Sequence, residues 1–252
     1  MSEFSSAVVV TGATSGIGRE TVRRLHAQGV RVAAVGRNAA RLAELAAELP
    51  GLVTIEADVC ARDAPERIVA TAVAAFGGLS GLVNAAGILE SGNHETTTAA
   101  DWDRTMDLNV RAVFLLTQAA LPHLKATKGA VVNVSSVSGL RPFPGVLAYC
   151  VSKAAVDHLT RCLGIELAPS GVRVNAVNPG VVVTELHRRG GMADEAYAAF
   201  LERGKTTHPL GRVGQPQEIA QAITFLLDGA QSGWITGETL AIDGGRHLTA
   251  AR

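Results

Sequence analysis

Short valine-rich runs alternate with longer amphipathic segments along the whole chain, and this alternation restricts it to architectures built from βαβ units. The apolar runs fall at residues 7–12, 30–35, 52–56, 81–84, 130–134, 172–177 and 239–242. Most lack polar alternation, as strands covered by helices on both faces do. The amphipathic segments at 16–28, 40–49, 63–76, 100–127, 148–168 and 217–227 supply those helices. The expected fold is α/β, a doubly wound, seven-stranded parallel sheet with helices on both faces. No linker, composition break or solenoid-type repeat divides the chain, so residues 1–252 are expected to form a single domain. Residues 185–212 break the rhythm: Gly190-Gly191 precedes a stretch in which Met192, Tyr197, Phe200 and Leu201 share a helical face. A long insertion after a strand's carboxyl end is where open α/β sheets carry lids, so this segment is expected to cover a substrate site.

Composition excludes several functions. Lys and Arg number 23 and so do Asp and Glu, which leaves no basic field for nucleic acid or an anionic membrane surface. No apolar run reaches the roughly 18 residues of a membrane span, and the opening Met-Ser-Glu-Phe-Ser-Ser carries an acid where a secretory signal carries bases. Cys60, Cys150 and Cys162 show no C-x-x-C or metal-ligand spacing, so no disulfide framework or metal site is expected, and reduced thiols suit a cytoplasmic protein. The seven histidines, among them His187 and His208, show no ligand spacing and read as surface or lid residues.

Glycine, at 27 residues, is informative by position. Thr11-Gly12-Ala13-Thr14-Ser15-Gly16-Ile17-Gly18 links the first strand to the first helix, where glycines let backbone N–H groups approach a pyrophosphate at the helix N-terminus. The spacing is G-x-x-x-G-x-G. At the end of the second strand stands Gly36-Arg37-Asn38, without the carboxylate that holds the ribose of NAD. A guanidinium there suits a 2′-phosphate, so NADP is expected over NAD. Asp58, after the third strand, suits either the adenine edge or a cap for the helix near Asp63.

Tyr149 and Lys153 stand one helical turn apart on one face. A phenol titrates near pH 10, and a neighbouring ammonium is expected to lower it, so that Tyr149 can exchange a proton with a carbonyl or alcohol oxygen. Ser136, at the carboxyl end of the fifth strand, is placed to hydrogen-bond the same oxygen.

Thr11 to Gly18, Asn84-Ala85-Ala86-Gly87, Asn109, Ser136, Tyr149, Lys153, Asn178-Pro179-Gly180, Pro209 to Arg212 and Ile242 to Gly245, in this order and spacing, resemble the short-chain dehydrogenase/reductase family. The resemblance spans essentially the whole chain and implies a Rossmann-type fold. It implies Tyr149 as general acid/base, Lys153 on the nicotinamide ribose, Ser136 on the carbonyl and Asn109 on a water of the proton relay. It places the cofactor against Gly12, Thr14, Ser15, Gly16, Ile17 and Gly18, then Arg37, Asn38, Asp58 and Val59. Asn84, Ala85, Ala86 and Gly87 follow, with Ala85 replacing the family's second asparagine, and then Pro179, Gly180, Val182 and Thr184. Hydride would pass directly between nicotinamide and carbonyl carbon, with no metal.

The implied activity is an NADP(H)-dependent interconversion of a ketone or aldehyde with its alcohol. The alternatives are a 3-oxoacyl-[acyl-carrier-protein] reductase and a non-catalytic dinucleotide-sensing protein. Against the first, Thr127 and Ser170 stand where such members dock the acidic carrier with arginines, although Lys125 and Lys128 lie nearby. Ser138, Phe143 and Leu186, with Ile88, Leu89 and Val146, suggest an apolar substrate pocket, while Arg141, Arg188 and Arg189 suit an acidic group; both remain open. The two longest helices are expected to pair across subunits in a homotetramer, as family members do.

Overall fold

The structure is a computed structural model that describes residues 6–249. Residues 1–5 and 250–252, which belong to the expected domain and include most of the N-terminus read as non-secretory, lie outside the described residues. Seven strands, β1 (Ala7–Thr11), β2 (Arg31–Gly36), β3 (Val53–Glu56), β4 (Gly81–Asn84), β5 (Ala130–Val134), β6 (Arg173–Pro179) and β7 (Thr239–Ile242), form one sheet in the order β3-β2-β1-β4-β5-β6-β7. Every pairing is parallel, so the expected doubly wound, Rossmann-type sheet is present.

Alternation along the strands sorts side chains onto two faces. Val9, Ala33, Val35, Leu82, Val131 and Val174 pack into one core with α3 (Ala64–Phe76), α5 (Ala112–Thr127) and the end of α7 (Leu147–Leu167). Val8, Val10, Val32, Ala34, Val83 and Val132 pack into the other with α1 (Gly16–Ala27), α2 (Ala39–Glu48) and α10 (Pro216–Leu227). Strand order reverses between β1 and β4, and the crevice outside the carboxyl ends at this point is where such sheets bind ligands.

Three departures from the sequence-based expectation bear on that crevice. The helix expected over 100–127 is α4 (Ala99–Met106) and α5, joined by a π-helical turn at Asp107–Arg111 with Asn109 at its centre. A one-turn helix, α6 (Val137–Leu140), follows β5. The segment 185–212 folds as α8 (Leu186–Arg189) and α9 (Asp194–Thr207), and α11 (Gly229–Ser232) follows α10. No helix among the described residues is long and apolar enough to cross a membrane.

Candidate active site

Backbone geometry builds one end of the crevice. Gly12 turns the chain with a φ of 66°, and a Cβ there would lie 2.7 Å from the carbonyl oxygen of Ala85. A side chain at Gly18 would collide with the Gly12 carbonyl, so the loop and the first turn of α1 close on each other only through glycine. The hydroxyl of Thr11 accepts hydrogen bonds from the amides of Ala85 (3.0 Å) and Ala86 (3.1 Å), stitching β1 to the loop after β4. Ser15 makes no side-chain cap, which leaves the N-terminal turn of α1 open where Gly16, Ile17 and Gly18 line the cavity. An uncapped 12-residue helix presenting glycine amides to a cavity of about 1310 Å³ fits a dinucleotide pyrophosphate.

Arg37 is exposed at the rim of that cavity, and no acid stands beside it at the end of β2. Asn38 also lines the cavity, but its side chain caps α2 by accepting from the amide of Arg41 (2.9 Å). Asp58 accepts from the amide of Cys60 (3.0 Å) and does not cap α3, whose N-cap is Asp63. Arg41 reaches across to the lid and grips Glu185 with both terminal nitrogens, at 2.8 and 3.2 Å.

Buried side chains build the other end. Ser136 ends the β5 loop as N-cap of α6, with Oγ accepting from the Ser138 amide (3.1 Å). Tyr149 lies in the first turn of α7, buried, with Ser136 beside its phenol. Burial pushes that phenol up to about 12 against the lowering effect of Ser136. Lys153 is buried one turn further on; its Nζ donates to the Val134 carbonyl (2.8 Å) and lies 5.6 Å from the Tyr149 ring centroid. Burial brings this ammonium down to about 8, partly opposed by Asp157. The expected lowering of the phenol by Lys153 is therefore corrected: desolvation dominates both groups, because neither helix face nor spacing reveals how deeply α7 sinks into the core.

Asn109 and Asn84 lie behind the cavity wall rather than on it. Asn109 holds both backbone groups of Ile88, accepting from N–H and donating to C=O at 2.9 Å each, and also donates to Ser152 (3.0 Å). Ser152 in turn donates to the Tyr149 carbonyl (2.8 Å), so the π-helical turn positions the β4 loop and the Tyr149 turn together. Asn84 donates to Asn133 (2.9 Å) inside the sheet, away from any ribose site. Of the other residues assigned to cofactor or substrate from the sequence, Arg188 lies off the cavity and the rest line it, including Thr14, Ser15, Val59, Ala86, Gly87, Pro179, Gly180, Val182, Thr184, Ser138, Phe143 and Leu186.

Three positioning residues escaped the sequence. Asp157, one turn beyond Lys153, is buried against Asn178, whose Nδ2 approaches its carboxylate oxygens at 3.0 and 2.8 Å and the Ser136 carbonyl at 2.8 Å. Its i+4 spacing from Lys153 was the available signal. Tyr197 pins the lid by donating to the Thr184 carbonyl (2.8 Å) and accepting from the Thr184 amide (3.2 Å). His208, at the end of the lid segment, is buried rather than at the surface: Nδ1 donates to the Gly204 carbonyl (2.6 Å) and Nε2 accepts from the Val181 amide (3.1 Å). That pattern demands the neutral ring, and burial lowers its pKa.

Comparison with known proteins agrees with this geometry. A family model described as Enoyl-(Acyl carrier protein) reductase matches residues 12–247. A granaticin polyketide synthase putative ketoacyl reductase from Streptomyces violaceoruber is 38% identical over 95% of both chains. Human L-xylulose reductase is 38% identical over 94% of this chain and 95% of its own. A short-chain dehydrogenase/reductase from Caenorhabditis elegans, solved with cofactor, superposes with a TM-score of 0.93 at 34% identity, covering 98% of this chain and 97% of that one. The chain belongs to the short-chain dehydrogenase/reductase family of oxidoreductases, which use a nicotinamide dinucleotide.

Proposed function

We propose that this protein is an NADP(H)-dependent reductase that interconverts a ketone or aldehyde with its alcohol, working as one domain in which residues 185–212 form the substrate lid. The observation that carries the reading is the buried Tyr149–Ser136 pair on a cavity wall, with Lys153 one turn away and an open helix N-terminus opposite. Bound nicotinamide supplies or accepts the hydride. Tyr149, at about 12, keeps its proton at neutral pH and donates it from Oη to the carbonyl oxygen as charge develops there. Ser136 donates to the same oxygen and orients it. Lys153 spends one donor on Val134, and its remaining N–H groups would hold the ribose hydroxyls of the nicotinamide half. Asn109 holds the wall behind these groups through its side-chain bonds to Ile88 and Ser152.

NADP over NAD rests on Arg37 at the rim and the missing acid at the end of β2. Pairing into a homotetramer is supported by Phe114 on α5 and by Val151 and Ile165 on α7, exposed apolar side chains on the two long helices. Free thiols at Cys60, Cys150 and Cys162 suit the cytoplasm. The L-xylulose and ketoacyl reductases among the relatives favour carbonyl reduction, and the ketoacyl names keep the carrier-protein substrate as the second reading. The test is a carbonyl and alcohol panel followed by NADPH absorbance. Oxidation of NADPH by at least one carbonyl class is expected; tight NADPH binding with no turnover across the panel would make the protein a dinucleotide sensor.

A further inference from the structure

The substrate end of the cavity carries two arginines for which the described residues supply no ion pair. Arg141 follows α6 directly, one helical turn or roughly 6 Å of rise beyond Ser136. Arg246 arrives from the far end of the chain, in the turn after β7. The two guanidinium carbons lie over the same ring, Phe143, at 5.2 and 4.8 Å from its centroid, and all three side chains line the cavity. Arg141 commits Nη1 to the carbonyls of Arg246 and Thr249, and among the described residues Nε and Nη2 have no hydrogen-bond partner. The Arg246 guanidinium is half-buried and has neither a hydrogen bond nor an ion pair among the described residues.

Among the described residues, the nearby acids hold other partners, and Asp243 offsets the Arg246 charge only in part. Asp243 accepts from the amides of Gly245 (3.0 Å) and His247 (2.6 Å) and from the His247 ring (2.8 Å). Among the described residues the acids lining the cavity are Asp58, Glu90 and Glu185. Glu90 pairs with Arg104, Glu185 with Arg41 and Arg189, and Asp58 belongs to the opposite end. The lid arginines suggested by the sequence are spent: Arg188 stacks on Tyr197 at 4.5 Å and pairs with Asp194, and Arg189 holds Glu185. Desolvation and the charge of Arg141 depress the Arg246 pKa, with Asp243 partly opposing them. A half-buried guanidinium with open donors is costly unless an anion pairs with it, and two such groups match the planar geometry of a carboxylate.

We propose that Arg141 and Arg246 are the receptor for a carboxylate borne by the substrate, so that this protein reduces small oxo acids with the carbonyl at Tyr149 and Ser136 and the carboxylate beside Phe143. The inference rests on the carbonyl reading of the same site. Val146, Leu186, Met192 and Phe200 line the cavity and suit an apolar chain linking the two polar ends.

The experiment compares kcat/KM with NADPH for a series of oxo acids of increasing chain length, from 3-oxobutanoate through 4-oxopentanoate to 7-oxooctanoate, against their methyl esters. Preference for at least one acid by about tenfold or more is expected, as a charge-assisted pair supplies. In Arg246→Gln the acid-to-ester ratio should fall towards one, and Arg246→Lys should restore part of it; reading a ratio separates lost recognition from poor folding. Turnover of esters with no preference for any acid overturns the receptor while leaving the carbonyl reading standing. Failure of every acid and ester defeats the carbonyl reading on this series, and calorimetric titration of sodium butyrate into the wild type with NADP⁺ then decides the receptor. Binding that Arg246→Gln loses supports it; no binding to the wild type overturns it.

Discussion

The two ends of the cavity are made from different materials. At the pyrophosphate end, Gly12, Gly16 and Gly18 and the open turn of α1 act through the backbone, and all lie within one stretch of sequence. At the proposed substrate end, Ser136 and Arg141 at the two ends of α6, Tyr149 on α7, Tyr197 on the lid helix α9 and Arg246 after β7 contribute side chains from four separate segments. Backbone recognition needs only a turn of the correct conformation, which local sequence specifies. Side-chain recognition depends on burial, pairing and charge, which arise only when distant segments meet.

The sharpest way to break this contrast is Tyr149→Phe. Loss of a single proton donor should cut the rate of carbonyl reduction by roughly 10²–10⁴-fold, while NADPH, held largely by the backbone end, still binds. Stopped-flow turnover and fluorescence titration check the two halves separately; retained turnover would remove Tyr149 from the chemistry.

Lys153 joins the two ends, and its burial has a cost that depends on pH. In the unfolded chain it titrates near 10.5 and in the fold near 8, so between these values the unfolded chain holds the extra proton and rising pH favours the fold. Below pH 8 the ammonium is buried in full charge and the penalty, on the order of 3 kcal/mol, is complete. Lys153→Met should therefore be more stable than the wild type at pH 7, with the gap closing as pH rises to 10.5. Urea unfolding across that range measures it, and a gap independent of pH would contradict the assignment. The smallest expected effect is at the rim, where Arg37→Asp should shift the NADPH-to-NADH ratio of specificity constants by roughly 10–100-fold towards NADH. An unchanged ratio would remove Arg37 from the 2′-phosphate.

The strands, their two-faced cores, the glycine turn and the pair Tyr149 and Lys153 were legible because their patterns have local periods of two or four residues. Asn109 was legible as a residue but not as a place: the π-helical turn that carries it exists because its amide satisfies Ile88 and Ser152, both far away in sequence. His208 looked like a surface histidine because nothing nearby announces that Gly204 and Val181 will take both ring nitrogens. Arg188 and Arg189 resembled ligand-binding arginines until Asp194, Tyr197 and Glu185 were seen to occupy them.

By itself, the sequence determined the doubly wound sheet and the family, and it pointed to the proposed reacting groups, because hydrophobic period, turn chemistry and motif spacing are properties of neighbouring residues. Only the tertiary structure decided that the phenol is raised and the ammonium lowered, that Asn84 faces inward, and that Arg246 joins Arg141 over Phe143. Those outcomes depend on desolvation and on which charges lack partners, and both are set by contacts between segments as far as 105 residues apart.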